Sequence, residues 1–304
     1  EDPVGFHFGN VVIHIINAVL VFYLIRLILN IAGCWNQELK GRHNAAAFLA
    51  GLIFLVHPLQ TQAVSYITQR FTSLCALFYL LSVVLYLAAR GRFEKAVSQR
   101  EYVLYGLSVL SNMLAMKTKE IAFTIPFMLA VFEILLFRSS AYGKRRFIFL
   151  IPHFAALALI PLSLFGPEWG LIKQGEGIAE IVRRDKLYDF YERPPLEYLL
   201  TQFRVVVTYM RLLLMPVNQK VVYDIRASHS IFEFWVILSL LIHMFLGALT
   251  VYLWRKSNIS KPEDAPAYKL MSIGLIWFFL TLSIESSIIP IKDLIFEHRV
   301  YLPS

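Results

Sequence analysis

The chain has 304 residues, 58% hydrophobic and only 16% charged, with a formal net charge of +8 and a mean hydropathy of +0.60. Soluble domains carry about 25% charged and roughly 45–50% apolar residues, so this composition excludes an ordinary soluble domain and points to an all-α, polytopic transmembrane helical bundle. The positive charge calls for no nucleic-acid partner, because Lys and Arg gather in short loops, where they set membrane orientation.

In chain order, residues 1–10 form a short, mostly polar lead and 11–33 are the first candidate span. At about 1.5 Å per residue this span is long enough for roughly 30 Å of hydrocarbon. His7, Asn10, His14 and Asn17 recur at spacings of 3, 4 and 3, one seam of a helix turned to a partner or a cavity. Interhelical hydrogen bonding, a purely structural role, explains such a seam as well as a functional one does. Residues 34–45 read as a polar loop with Lys40 and Arg42, and 46–56 as a short span completed by the turn that follows.

Residues 57–70, HPLQTQAVSYITQR, lie between two apolar runs and hold no acid and one base, Arg70. Pro58 suits a bend or a helix start, and Gln62, Tyr66 and Gln69 would share one face of a short helix. This stretch reads either as the rim of an anion site or as a plain polar connection. Spans are then expected at 71–89, 102–116, 121–137, 147–165, 232–254 and 270–290, with Pro152 and Pro161 as kinks in the fourth of these.

Residues 196–215 are apolar but carry Glu197, Thr201, Arg204, Thr208 and Arg211 at spacings of 4, 3, 4 and 3. That seam suits an amphipathic helix in the interface or lining a groove. The expectation is therefore about eight spans plus this helix. The basic loops at 34–45, 90–101, 138–146 and 255–269 would be cytoplasmic, which places 57–70, 117–120, 166–195 and 291–304 on the other face.

That outer face collects Arg70, Lys117, Lys119, Glu120, Arg204, Arg211, Glu297, His298 and Arg299, and Glu285 falls inside the last apolar run. An ionisable group at membrane depth is a functional candidate. Arg and Lys can hold a phosphate, and nearby carboxylates can act as bases or orient a cation. The bland readings are snorkelling anchors for Lys117 and Lys119 and an ion pair between Glu285 and an Arg such as Arg204. No Gly-rich phosphate loop, zinc spacing or serine elbow occurs, and Cys34 and Cys75 read as unpaired, so neither a metal nor a disulfide framework is expected.

HPLQTQAVSYITQRFTSL, MKTKEIAFTIP, LTQFRVVVTYMRLLLMPVNQ and ESSIIPIKDLIFEHRVYLPS, together with GFHFGNVVIHIINA, resemble the membrane part of the transmembrane-and-tetratricopeptide-repeat O-mannosyltransferase family, in its bacterial branch. The resemblance implies a GT-C glycosyltransferase. Such an enzyme takes a sugar, mannose or another hexose, from a polyprenyl-phosphate carrier and passes it to a protein hydroxyl on the non-cytoplasmic face. In a bacterium that face is the periplasmic side of the inner membrane.

On that reading Arg70, Lys117, Lys119, Arg299, Arg204 and Arg211 contact the donor phosphate. Glu120, Glu297 and Glu285 are supporting acids, and His57, Gln62, His14, Asn17 and His298 line the site. The partners are the bilayer, the lipid-linked sugar and a protein acceptor, with no cofactor beyond the donor. Two features depart from the family. Its catalytic acidic motif lies in the outer loop before the helix matching 11–33, too far upstream to be Glu1 or Asp2, and it often has Glu where Gln62 stands. Residues 1–304 are thus expected to be one transmembrane domain of a longer protein, with the principal base upstream and the repeats downstream. A secondary transporter using His14, Asn17 and Glu285 as an ion path, or a non-catalytic membrane scaffold, are the competing readings.

Overall fold

The computed structural model describes residues 3–33, 40–94, 98–138, 142–160, 162, 194–291 and 293–304. Cys34, Lys95, Pro161 and nearly all of the expected 166–195 loop lie outside them. Among the described residues the regular structure is helical: α1 Pro3–Ala32, α2 Lys40–Val56, α3 Thr61–Ser65, α4 Arg70–Phe93, α5 Gln99–Thr118, α6 Ile125–Leu135, α7 Ile151–Ala155, α8 Pro195–Leu214, α9 Phe234–Ile259 and α10 Ala265–Leu282, joined in places by 3-10 turns.

Among the described residues four helices are long and apolar enough to cross a membrane: Val4–Ala32, Ile67–Phe93, Phe234–Ile259 and Ala265–Leu282. A fifth span results if Lys40–Val56 and Pro58–Ser65, bent by 50°, count as one. This is the architecture of a multi-pass helical membrane protein, with four or five passing helices among the described residues where eight are expected of the whole chain. Part of the difference has local causes. Residues 121–137 split into a 3-10 turn, Glu120–Thr124, and the 11-residue α6. Residues 147–160 divide among a 3-10 turn, the five-residue α7 and another 3-10 turn, and Pro152 starts α7 rather than kinking a long helix. The last span ends at Leu282, so Glu285 lies beyond the helix and not inside it. Lys40 and Arg42 open α2 instead of lying in a loop.

α4 is the central helix. Its buried residues Cys75, Ala76, Tyr79, Leu80, Val83, Tyr86 and Leu87 recur every three or four positions, and they pack with side chains of α1, α5, α6 and α10 in one core. α2 approaches α1 at Gly51, where a Cβ would meet the Ala18 carbonyl oxygen at 3.0 Å. Cys75 is a buried free thiol.

One end of the bundle is locked by Arg90, 1% exposed. Its Nε donates to Glu133 at 2.8 Å and its Nη1 to Glu94 at 2.6 Å, while its guanidinium lies over the rings of Phe137, Tyr142 and Phe149 at 4.6, 5.2 and 4.9 Å. A second core at the opposite end of α4 joins Leu59, Val205, Val206, Tyr209, Leu212, Phe278, Leu282, Ile295 and Val300. It glues the 57–60 turn, α8 and α10 to the C-terminal segment, and this is the end that holds the candidate site.

Candidate functional site

Residues 57–69 do not form the single helix expected. His57 caps the Pro58–Gln60 turn, accepting the Leu59 amide on Nδ1 at 3.2 Å, and Pro58 starts that turn. The chain becomes extended at Tyr66 (φ −81°, ψ 121°), which separates Gln62, buried, from Tyr66, exposed. The bend exists because a proline ring cannot continue α2.

The segment after α10 folds back across this end and touches nearly every sequence block singled out above. Lys119 Nζ lies 2.6 Å from Glu285 Oε1 and donates to Thr72 Oγ1 at 3.2 Å, and Thr72 in turn donates to Gln69 at 3.2 Å. The Glu285 carbonyl accepts the Tyr198 hydroxyl at 3.0 Å. The other Glu285 oxygen, Oε2, is buried with no partner among the described residues, an acceptor left over for a hydroxyl. The expected pairing of Glu285 with Arg204 is not made: Lys119 takes that place, and Arg204 donates to Ser228 and the Arg226 carbonyl.

Further along, Glu297 accepts Gln219 Nε2 at 2.9 Å, the Lys220 amide at 3.1 Å and the Tyr223 hydroxyl. Burial, and next this carboxylate, push the Tyr223 phenol up to about 12. The His298 amide donates to Gln62 Oε1 at 2.7 Å, and its Nδ1 lies 3.2 Å from the same oxygen. Burial first, then the charges of Lys119 and Arg299, drive the His298 imidazole down to about 3, so it is neutral at physiological pH. Arg299, 3% exposed, donates Nη2 to the Asp293 carbonyl at 2.9 Å. Ser304 Oγ accepts Gln60 Nε2 at 2.7 Å.

The polar seam of α1 is largely interhelical glue. Tyr301 joins it: its hydroxyl donates to His14 Nδ1 at 2.8 Å and accepts Asn17 Nδ2 at 3.0 Å, while His14 Nε2 bonds the Leu55 carbonyl and Asn17 the Ser73 carbonyl. Asn10 bonds the Val64 carbonyl at 3.1 Å and accepts Arg70 Nε at 3.1 Å. His7, the fourth seam residue, is exposed.

The expected residues therefore divide into groups. Lys119, Glu285, Glu297, His298, Arg299 and Gln62 converge through the C-terminal segment. Arg70 turns to α1, bonding Asn10 and the Phe6 carbonyl and lying 4.9 Å over the Phe6 ring. His57 Nε2 turns to the Leu213 carbonyl at 3.0 Å. Lys117 and Glu120 are exposed at the edge. Arg204 and Arg211 belong to a different cleft. Sequence reasoning missed Thr72, Tyr198, Gln219 and Tyr223; a buried tyrosine hydroxyl leaves no spacing signal, although Tyr301 stood inside a block already quoted.

Fold and site together define a multi-pass helical membrane protein with a mixed-charge polar site sealed by its C-terminal segment. The chain is similar to the TMTC group of protein O-mannosyl-transferases. Over 139 residues, 44% of this chain, it is 38% identical to human protein O-mannosyl-transferase TMTC4, of which that stretch covers 18%. Mouse TMTC4 is 36% identical over 140 residues (44% and 18%), and Drosophila melanogaster Tmtc2 is 27% identical over 144 residues (47% and 14%). The chain thus matches less than a fifth of the length of these relatives. No family model and no solved structure matches it.

Proposed function

We propose that this chain is the membrane part of a GT-C glycosyltransferase of protein O-mannosylation, moving mannose or another hexose from a polyprenyl-phosphate carrier to a protein hydroxyl on the non-cytoplasmic face. The observation that carries the reading is convergence. The 57–70, 116–126 and 285–304 blocks, far apart in sequence, meet around the Lys119–Glu285 pair and the Gln62–His298 contact, and the similar proteins are named protein O-mannosyl-transferases.

In this reaction the acceptor oxygen attacks the anomeric carbon, the bond from that carbon to the carrier phosphate breaks, and the phosphate leaves with the electron pair. Lys119 and the exposed Lys117 stabilise the negative charge that develops on the leaving phosphate. Arg299 adds positive potential from behind while its own donors hold backbone carbonyls, and Arg70 fixes the 57–70 segment against α1. Glu285 orients Lys119 and offers Oε2 to a sugar or acceptor hydroxyl. The acceptor's proton passes to a carboxylate, which the family resemblance places ahead of α1, with Glu120 as a supporting acid beside Lys119. Glu297 holds the 219–223 segment against the site.

Saturable binding of radiolabelled polyprenyl-phosphate mannose to the purified chain tests this. Binding should weaken about tenfold in Lys119→Ala, the scale of one lost charge-assisted bond, and remain in Lys220→Gln. Binding that is indifferent to Lys119 and Lys117 would overturn the assignment of the phosphate site.

A further inference from the structure

The cations that do not join the C-terminal segment form a site of their own. Arg204, Arg211 and Arg226 line a cleft of about 380 Å³ together with one acid, Asp224, a volume within the roughly 300–1,000 Å³ of small-molecule sites. Arg204 and Arg211 are seven residues apart on α8, so they share a face and lie about 10 Å apart along its axis.

Arg204 is anchored through Nη1 alone, which donates to Ser228 Oγ at 2.7 Å and to the Arg226 carbonyl at 3.2 Å. Arg211 likewise uses Nη1, to the Val217 carbonyl at 3.3 Å. Their remaining nitrogens, and the whole Arg226 guanidinium, donate to nothing among the described residues. Three guanidinium groups against Asp224 in the lining and Glu233 within electrostatic reach of Arg204 still leave the cleft net cationic, with planar forks that match phosphate oxygens.

The facing wall has the opposite character. It is made by Trp235, 61% exposed, and Leu238 near the start of α9, a helix long and apolar enough to cross the membrane. Tryptophan at the end of such a helix marks the membrane–water interface. A soluble anion would engage the cationic rim and leave this wall unused; a lipid ending in a phosphate engages both. We propose that the α8–α9 cleft binds the phosphate headgroup of a membrane lipid, with Arg204, Arg211 and Arg226 on the phosphate and Trp235 beside the first carbons of the tail. The site goes beyond the transferase reading and does not depend on it, since the donor phosphate is assigned to Lys117 and Lys119.

The test uses the purified chain in phosphatidylcholine nanodiscs containing a few per cent of brominated phosphatidic acid. Bromine quenches a neighbouring tryptophan, and the difference between wild type and Trp235→Phe isolates the signal of Trp235. The expected result is stronger quenching by brominated phosphatidic acid than by brominated phosphatidylcholine at the same mole fraction. Arg211→Gln combined with Arg226→Gln should weaken that preference roughly tenfold; Arg204 is kept because it holds the Ser228 loop. The corresponding double Arg→Lys variant should retain part of the preference, and an unchanged helical circular dichroism spectrum establishes that both variants are folded.

Unlabelled phosphatidic acid that displaces the brominated lipid at least as well as polyprenyl phosphate supports a glycerophospholipid occupant; displacement only by polyprenyl phosphate would make the cleft part of the donor site and overturns the proposal of a separate one. Equal quenching by the two brominated lipids overturns it, as does a preference that survives the double Gln variant. An equal loss in Lys220→Gln, an exposed cation outside the cleft, would reduce the effect to general surface charge and also overturns it. Displacement by inorganic phosphate as effectively as by lipid phosphate overturns the lipid assignment.

Discussion

Lys119 and Glu285 stand 166 positions apart in sequence, yet Nζ and Oε1 meet at 2.6 Å, with side chains only 17% and 11% exposed. The pair ties the end of α5 to the segment after α10. Removing one partner leaves a largely desolvated charge. Lys119→Met and Glu285→Leu should each destabilise the protein by about 2 kcal/mol, below the roughly 3–5 kcal/mol of a fully buried pair. The double variant should recover most of that loss, because no unpaired charge remains. Thermal unfolding of the four proteins in detergent completes the cycle, and strictly additive losses would show that the two side chains are not coupled.

His298 gives the site a defined acid sensitivity. Its imidazole is held near 3 in the fold by burial and by the charges of Lys119 and Arg299, against about 6.5 in an unfolded chain. Between those values the unfolded state binds a proton that the folded state refuses, so stability falls as pH drops from about 6.5 toward 3. The contribution is at most about 1.4 kcal/mol per pH unit. The melting temperature of wild type should therefore drop more between pH 7 and pH 5 than that of His298→Asn. Parallel drops in the two proteins would assign the acid sensitivity to other groups.

What the sequence carried and what it withheld follow from the range of the interactions. The Pro58 bend and most of the polar seam of α8 are local patterns, and both appear: Thr208 joins Arg204 and Arg211 in lining a cleft, while Thr201, from the same seam, is buried with Tyr198, Val205, Tyr209 and Leu212. The broken helices at 121–137 and 147–160 escaped because hydropathy reports apolarity, and an apolar run scores the same whether it is one long helix or short turns. The partner of Glu285 escaped for a different reason. Its ion pair with Lys119 is made by the fold-back of the C-terminal segment, which no periodicity encodes. Arg204 and Arg211 line a cleft of their own rather than joining Lys119, since sharing one face of a membrane does not place residues in one pocket.

Tyr301 is the hinge of the α1 seam. Its hydroxyl is buried and bonds both His14 and Asn17, and its ring packs edge-on against Phe54 at 5.4 Å. Tyr301→Phe keeps the ring but strips a partner from His14 Nδ1 while Asn17 retains the Ser73 carbonyl. One buried polar atom left unpaired costs about 1–3 kcal/mol, so the variant should lose that much in denaturant unfolding. His14→Leu combined with Tyr301→Phe should lose less than the sum of the single variants, because the orphaned acceptor is gone. A loss below about 0.5 kcal/mol for Tyr301→Phe would mean that water or a shifted neighbour replaces the hydroxyl.

Glu297 is the peg for the irregular segment between α8 and α9. Three donors from 219–223, the Gln219 amide, the Lys220 backbone N–H and the Tyr223 hydroxyl, converge on its carboxylate, and Glu297 itself is 5% exposed. In Glu297→Gln one of the two oxygens becomes an NH2 group, which repels whichever donor faces it. The 219–223 segment then loses part of its charged anchor on the C-terminal segment, whereas the contacts of α1 and α4 are untouched. Hydrogen exchange of peptides covering 216–226 should accelerate roughly tenfold or more, with peptides from α4 unchanged. Acceleration throughout the protein would point to global destabilisation instead, and unchanged exchange at the Lys220 amide would show that Glu297 does not hold the segment.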